Sequence, residues 1–448
     1  MDKNINFQQV FNDNFNELIE LLKIKSIYDE KSISEDAPYG KCVKDALLFM
    51  SSLAIKDGFN VKNYDNQVIT INYCNKPNNR FDIASHLDVV SVDDSWSSDP
   101  FNPQVVNGKL YGRGTVDMKT AAFLTYLALK LLKERYPETK NEIRLVFGSD
   151  EERTMNDMRY YVSKVPAPLF SFSPDGIFPM CIAEKGALMW TLNGEYDGII
   201  ESLHGGVQCN VVPPICEVTL KNNQYTKQIS EYIIKNKIDA EVKEKDNKTS
   251  INVKGIAVHS SLNFLGRSAI IDCLDILKNV CNDKLADNLF NLFSDNYGQG
   301  LGVKKENEDI YLTVNLGKLE IEKNKIFGQV DGRYPFNLNS SDLTSLLKDK
   351  CIINVSLDYD DLPTGCDEND EYVKVLLNTY QEITNDNTKP FVSGGVSYSK
   401  VFNHSVTFGP VHLSKEHMAH QKDEYIEIED AIKALEIYYK TFEKLAFM

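Results

Sequence analysis

Two short runs place groups able to bind metal directly after apolar, strand-like segments. They are Ser85-His86-Leu87-Asp88-Val89-Val90 and Tyr111-Gly112-Arg113-Gly114-Thr115-Val116-Asp117-Met118-Lys119. Asp150-Glu151-Glu152 follows the apolar run 143–147 in the same way, and Asp175 follows 170–173. Ala419-His420-Gln421 comes after a further strand-like run at 405–408. In open α/β sheets, ligands bind outside the carboxyl ends of the strands. Two His, two Asp and a Glu pair at such ends suit a hydrolytic site for two metal ions better than they suit a core. A carboxylate between two ions holds them about 3.5–4 Å apart, and a bound ion lowers the pKa of its water to about 7. A glutamate next to a ligand can take the water's proton and pass it to a leaving amine. Mixed nitrogen and oxygen ligands suit zinc, with manganese as the alternative.

The elements that must position these groups show in the hydrophobic periodicity. Phe7, Val10, Phe11, Phe15, Leu18, Ile19 and Leu22 keep one helical face apolar. Helices are expected at 41–57, 120–136 and 156–165, and strands at 68–73, 81–85, 142–147 and 168–173. This alternation argues for a mixed, mostly parallel sheet sandwiched by helices. After Glu184-Lys185-Gly186 the pattern changes. Strands are expected at 187–192, 216–220, 248–253, 311–316, 325–330 and 352–357. Helices are expected at 226–235, 267–280, 287–294, 341–348 and 370–383. The last segment returns to the first pattern, with a strand at 405–408 and a helix at 428–445. The division read from this is a first domain at 1–186 and 383–448, interrupted by an inserted α+β domain at 187–382.

Composition narrows the function classes. The chain has 448 residues, a net charge of −16 and nine cysteines without a CxxC pair. So acidic a chain is a poor partner for nucleic acid phosphates or anionic membrane surfaces. Scattered cysteines and the lack of a secretory pattern predict reduced thiols and a cytoplasmic location.

Taken together, these motifs resemble the two-zinc metallopeptidase family that includes aminoacylase, succinyl-diaminopimelate desuccinylase and the bacterial PepV-type dipeptidases. The resemblance also runs through Gly205-Gly206, Asn210-Val211-Val212-Pro213, His259-Ser260-Ser261, Arg333-Tyr334-Pro335, Ser393-Gly394-Gly395 and Ala419-His420 through Glu424. It implies two divalent ions, Zn2+ or alternatively Mn2+. His86, Asp117 and Asp175 would hold one, and Asp117, Glu152 and His420 the other, with His417 a weaker rival to His420. Asp88 would orient His86, and Glu151 would be the general base. Asn210 and His259, from the inserted domain, would bind substrate and its developing oxyanion. Arg333 would bind the substrate carboxylate, with Gly394 also at the substrate. Asp at position 175, rather than Glu, favours dipeptidases over deacylases within the family. The long insert resembles the doubled lid of the PepV type, built from two similar subunits, and implies a monomer acting on small peptides. One departure is Val396-Ser397-Tyr398-Ser399-Lys400, where PepV-type enzymes usually carry Thr-Tyr-Ala-Arg. Outside the family motifs, the bland readings hold: Arg113 and Lys119 are expected to be structural, and His204, His404 and His412 structural or superficial.

Overall fold

The strands that carry the metal-ligand candidates lie side by side in one sheet. The computed structural model describes residues 5–74, 77–303, 305, 311–412, 414–416 and 418–448; His417 lies outside them. The chain divides into two units.

The first unit comprises residues 1–183, 364–391 and 396–448. Its main sheet runs, in spatial order, Asn60–Tyr64, Val68–Asn72, Glu142–Gly148, Arg80–His86, Phe170–Ser173, Ser405–Thr407, Cys181–Glu184 and Thr364–Gly365. The four strands from Glu142–Gly148 to Ser405–Thr407 pair in parallel. The strands on either side of them pair antiparallel. The parallel strands are near-continuous apolar runs because both faces are covered. Ile69, Ile71, Phe81, Ile83, Leu145 and Phe147 point to one face. There they pack against the helices Lys119–Arg135 and Ile428–Phe447. Val68, Ala84 and Val146 point to the other, under Met158 and Tyr161 of the helix Asn156–Lys164 and under Tyr398.

The N-terminal amphipathic stretch is two helices, Phe7–Asp13 and Phe15–Lys23, rather than one. Asn14 breaks it by turning its Nδ2 back onto the carbonyl of Val10 at 2.8 Å.

The second unit comprises residues 184–363 and 392–395. All eight of its paired strands are antiparallel, in the order Ala240–Lys245, Lys248–Lys254, Ile215–Leu220, Ile200–Gly205, Thr313–Glu322, Lys325–Tyr334, Gly186–Glu195 and Asn354–Asp361. The sheet splits into two four-stranded halves. In each half a strand leads through a helix to an edge strand, through Thr226–Asn236 in one and Ser340–Lys350 in the other. The helix Glu371–Thr384, placed by its sequence in the insert, belongs to the first unit. Its buried Tyr372, Val373, Leu376 and Tyr380 join that unit's core. The insert therefore ends at about residue 363 rather than 382.

Candidate functional site

Five of the sequence-predicted residues meet at the C-terminal ends of the parallel strands. His86 is the last residue of its strand, and its ring is fully buried. Its Nδ1 lies 2.9 Å from the backbone carbonyl of Asp88, so that nitrogen donates and Nε2 turns outward. Nε2 is 3.0 Å from Asp117 Oδ1 and 3.7 Å from Asp175 Oδ2. The other oxygen of Asp117, Oδ2, lies 3.0 Å from His420 Nε2. The same His420 nitrogen is 3.0 Å from Glu152 Oε2. Asp175, His86, Asp117, His420 and Glu152 thus form a chain of alternating carboxylate and imidazole. One Asp117 oxygen faces each ring.

Two overlapping groups of donor atoms lie within 4.8 Å of one another: His86 with Glu151 and Asp175, and His86 with Asp117 and Glu152. Their electrostatics call for cations. Burial and the Asp117 carboxylate push Glu152 up, and one of its oxygens, Oε1, is buried with no hydrogen-bond partner. Burial, together with Asp175, Glu152 and Asp117, pushes Glu151 well above the usual range. Hydrogen bonds to Asp117 and Glu152 raise His420 to about 10. Clustered buried carboxylates that hold their histidines protonated have the donor set and charge that divalent ions neutralise.

Asp88 is tied less to the imidazole than to the glutamate loop. Its carboxylate is 3.5 Å from His86 Nδ1, and its oxygens accept the amide hydrogens of Glu151 at 3.4 Å and Glu152 at 3.2 Å. One aspartate therefore links the His86 loop to the loop carrying Glu151.

Three positioning groups stand beside these residues. Glu424 is fully buried, and its carboxylate accepts from the amides of Gly114, Val116 and Asp117 and from Arg113 Nη1 at 2.7 Å. It clamps the Asp117 loop from a position four residues past His420. Arg113 is structural here, as is Lys119, whose buried Nζ donates to the carbonyl of Ile24 at 2.6 Å. Asp157 and Tyr398 are the other two. Asp157 Oδ2 accepts from the amides of Ser149 at 2.5 Å and Asp150 at 3.1 Å, and from the Tyr398 hydroxyl. The Tyr398 ring stands edge-on to the His86 ring, 6.2 Å between centroids. Gly148 is required here: a Cβ on it would come within 2.2 Å of the Tyr398 hydroxyl and 2.4 Å of Asp157 Oδ2. None of these groups is a ligand. The signals in the sequence were the departure at Tyr398 and the place of Glu424 at the end of the run from Ala419.

The substrate-binding candidates lie in the second unit and form a cluster of their own. The Asn210 carbonyl accepts from Ser260 N at 2.9 Å, and Val211 bridges to His259. Asn315 Nδ2 holds the Asn210 loop by donating to the carbonyls of Cys209 and Val211. His259 Nδ1 accepts the Ser261 amide at 3.2 Å, which leaves the proton of the neutral ring on Nε2. Gly394 packs so closely that a Cβ on it would lie 2.7 Å from Ser261 Cβ. Arg333 forms a two-pronged ion pair with Asp331, at 3.0 Å for each contact, and Ser260 Oγ donates to the same aspartate at 2.6 Å. The expected carboxylate clamp therefore already has a carboxylate partner on its own strand.

Among the described residues, no helix is long and apolar enough to cross a membrane.

A protein of Staphylococcus epidermidis named "Putative dipeptidase" is 30% identical over 96% of this chain and 97% of its own length. The fold is similar to that of human carnosine dipeptidase 1, with a TM-score of 0.56 and 14% identity over 98% of each chain. It is also similar to that of a metallo-carboxypeptidase from Sulfolobus solfataricus, with a TM-score of 0.57 and 15% identity over 96% of this chain and 98% of that one. The family model for peptidase family M20/M25/M40 matches residues 83–444, from the strand of His86 to the final helix, and the chain belongs to that family.

Proposed function

We propose that the protein is a metal-dependent dipeptidase acting on dipeptides with a free amino terminus. The observation that carries this reading is the Asp117 carboxylate, with one oxygen 3.0 Å from His86 and the other 3.0 Å from His420. His86, Asp117 and Asp175 would hold one divalent ion, and Asp117, Glu152 and His420 a second, with zinc preferred to manganese. Bound there, such ions would supply Lewis acidity toward the scissile carbonyl and acidify water.

The chain's own residues do the rest. Asp88 anchors the amides of Glu151 and Glu152, fixing where the base points. Glu151 takes a proton from the attacking water and returns it to the leaving amine. A carboxylate held beside the attacking water can take that proton and keep it until the amine leaves. Asn210 and the Nε2–H of His259 would donate to the oxygen that gains charge, and Arg333 would receive the substrate carboxylate.

The test is metal analysis together with a substrate panel. Elemental analysis of metal-loaded protein should approach two ions per chain. Free dipeptides should be cleaved faster than N-acetyl or N-succinyl amino acids. Preference for the acylated compounds would replace the dipeptidase reading with a deacylase one. A metal-replete protein that cleaves neither class would leave peptide binding without catalysis.

A further inference from the structure

At the opposite end of the first unit's sheet from the candidate metal centre, the strands open a cleft with an unusual charge. It lies on the face packed by the helix Asn156–Lys164, at that helix's C-terminal end. The register pairs Lys62 with Thr70, and pairs Arg80 and Asp82 with Glu142 and Arg144. Alternate residues of four strands therefore share this face. They line a cavity of about 350 Å³ whose walls include Lys62, Arg80, Arg144 and Lys164.

Two carboxylates answer these four cations. Asp82 accepts from Arg80 Nε at 2.8 Å, and Glu142 accepts from Arg144 Nε at 2.7 Å. Both arginine side chains are largely buried, so they are fixed charges. Lys62 and Lys164 are exposed and make no salt bridge among the described residues. Their ammonium groups lie over aromatic rings, Lys62 over Tyr64 at 4.6 Å and Lys164 over Tyr160 at 5.0 Å. A surplus of positive charge is thus gathered around one cavity in a chain whose net charge is −16.

We propose that this cleft binds a small organic phosphate. A phosphate dianion matches the two lysines left without a carboxylate, and charge-assisted bonds to it are about twice as strong as neutral ones. A singly charged carboxylate would leave one lysine unanswered. The size points to an organic portion as well, since ligand cavities commonly begin at about 300 Å³ and an inorganic ion would fill only a fraction of that. Val165 and Pro166 give that portion an apolar wall. The proposal is independent of the peptidase reading, because none of these residues belongs to the metal centre.

The experiment is calorimetric titration of the full-length, metal-loaded protein with adenosine 5′-monophosphate and with glucose 6-phosphate. Phosphates also bind metal centres, so the decisive quantity is a difference between variants. Lys62→Glu/Lys164→Glu should weaken binding at least tenfold and leave peptide hydrolysis unchanged. Lys227→Glu/Lys243→Glu alters net charge equally on exposed lysines of the second unit, and it should bind as the wild type does. Three outcomes would each overturn the proposal: no binding of either probe, equal affinity in wild type and the Lys62/Lys164 variant, or an equal loss in the Lys227/Lys243 control.

Discussion

The two units hold their candidate residues in different ways. In the first, the metal-ligand candidates lie on loops at the C-terminal edge of the main sheet, His86 ending its own strand, and are locked by buried carboxylates that are not themselves candidate ligands. Glu424 holds the Asp117 loop, and Asp157 holds the loop before Glu151. In the second, the candidates sit mainly on loops tied to one another by backbone hydrogen bonds, and the one strand residue, Arg333, is paired to Asp331. A site for cations needs clustered like charges, and only a rigid buried frame can hold these together. Groups that meet substrate need donors of defined direction but little accumulated charge. If this contrast is functional, substitutions in the first unit should abolish metal binding or chemistry, whereas those in the second should alter turnover or affinity with the metals in place.

The largest expected effect follows from Asp117. Asp117→Ala should lose both ions and essentially all activity, as should prolonged treatment of the wild type with a chelator. Activity should return on adding zinc or manganese to the chelated wild type only. An Asp117→Ala protein that still holds two ions by elemental analysis would remove the shared carboxylate from the site. Glu151→Gln comes next. It should keep both ions and lose about 10²–10⁴ in turnover, the usual contribution of a positioned general base. Near-normal turnover in a metal-replete variant would assign the base elsewhere.

The candidate ligands drew notice in the sequence because they follow apolar, strand-like runs. Strand ends of a parallel sheet fall at one edge, which suited such a site, and the resemblance to the metallopeptidase family grouped these particular residues into it. The frame behind them was not legible. Glu424 and Asp157 act by accepting several hydrogen bonds, and Tyr398 by donating one, and such pairings leave no periodic trace. One of the missed strands, Ala240–Lys245, has a related cause. It is a sheet edge with a charged, exposed pattern, which blunts edge pairing and also hides it from a hydrophobic count. The insert's end was misplaced because the helix Glu371–Thr384 is amphipathic in either unit, and only its packing decides.

A smaller effect is expected from the second unit. His259→Ala should reduce kcat by about 10²–10³, the usual cost of one oxyanion donor, at unchanged metal content. Loss of metal from this variant would break the contrast between the units. Arg333→Ala should mainly raise KM, and only for dipeptides with a free C-terminal carboxylate rather than their C-terminal amides. Its ion pair adds a second consequence. Removing the guanidinium strands the buried Asp331, which typically costs about 3–5 kcal/mol when a buried pair is broken. Arg333→Ala/Asp331→Asn should therefore regain thermal stability without regaining affinity for the carboxylate. Equal cleavage of acids and amides by the wild type would show that Arg333 serves the fold alone.

The smallest effect on turnover is expected at Asp157, where the frame itself can be titrated. Asp157 is completely buried, and that burial, with Asp88 nearby, raises its carboxyl from 3.8 to about 7. Below the unfolded value both states carry the proton, and the group contributes nothing to the pH dependence of stability. Between the two values the unfolded chain releases the proton and the folded chain keeps it, so stability falls as pH rises. Above about 7 both states are ionised, and the loss is complete. Asp157→Asn keeps an oxygen for the Ser149 and Asp150 amides but cannot titrate. Its melting temperature relative to wild type should therefore climb from pH 4 to pH 7 and then level off. The total should be a few kcal/mol at most, since one pKa unit corresponds to about 1.4 kcal/mol. Metal content should stay the same throughout. Parallel stability profiles for the two proteins would mean that Asp157 is already ionised at pH 4, held so by the two amides and the Tyr398 hydroxyl. The loop before Glu151 would then rest on a permanent charge rather than on a carboxyl that changes state near neutrality.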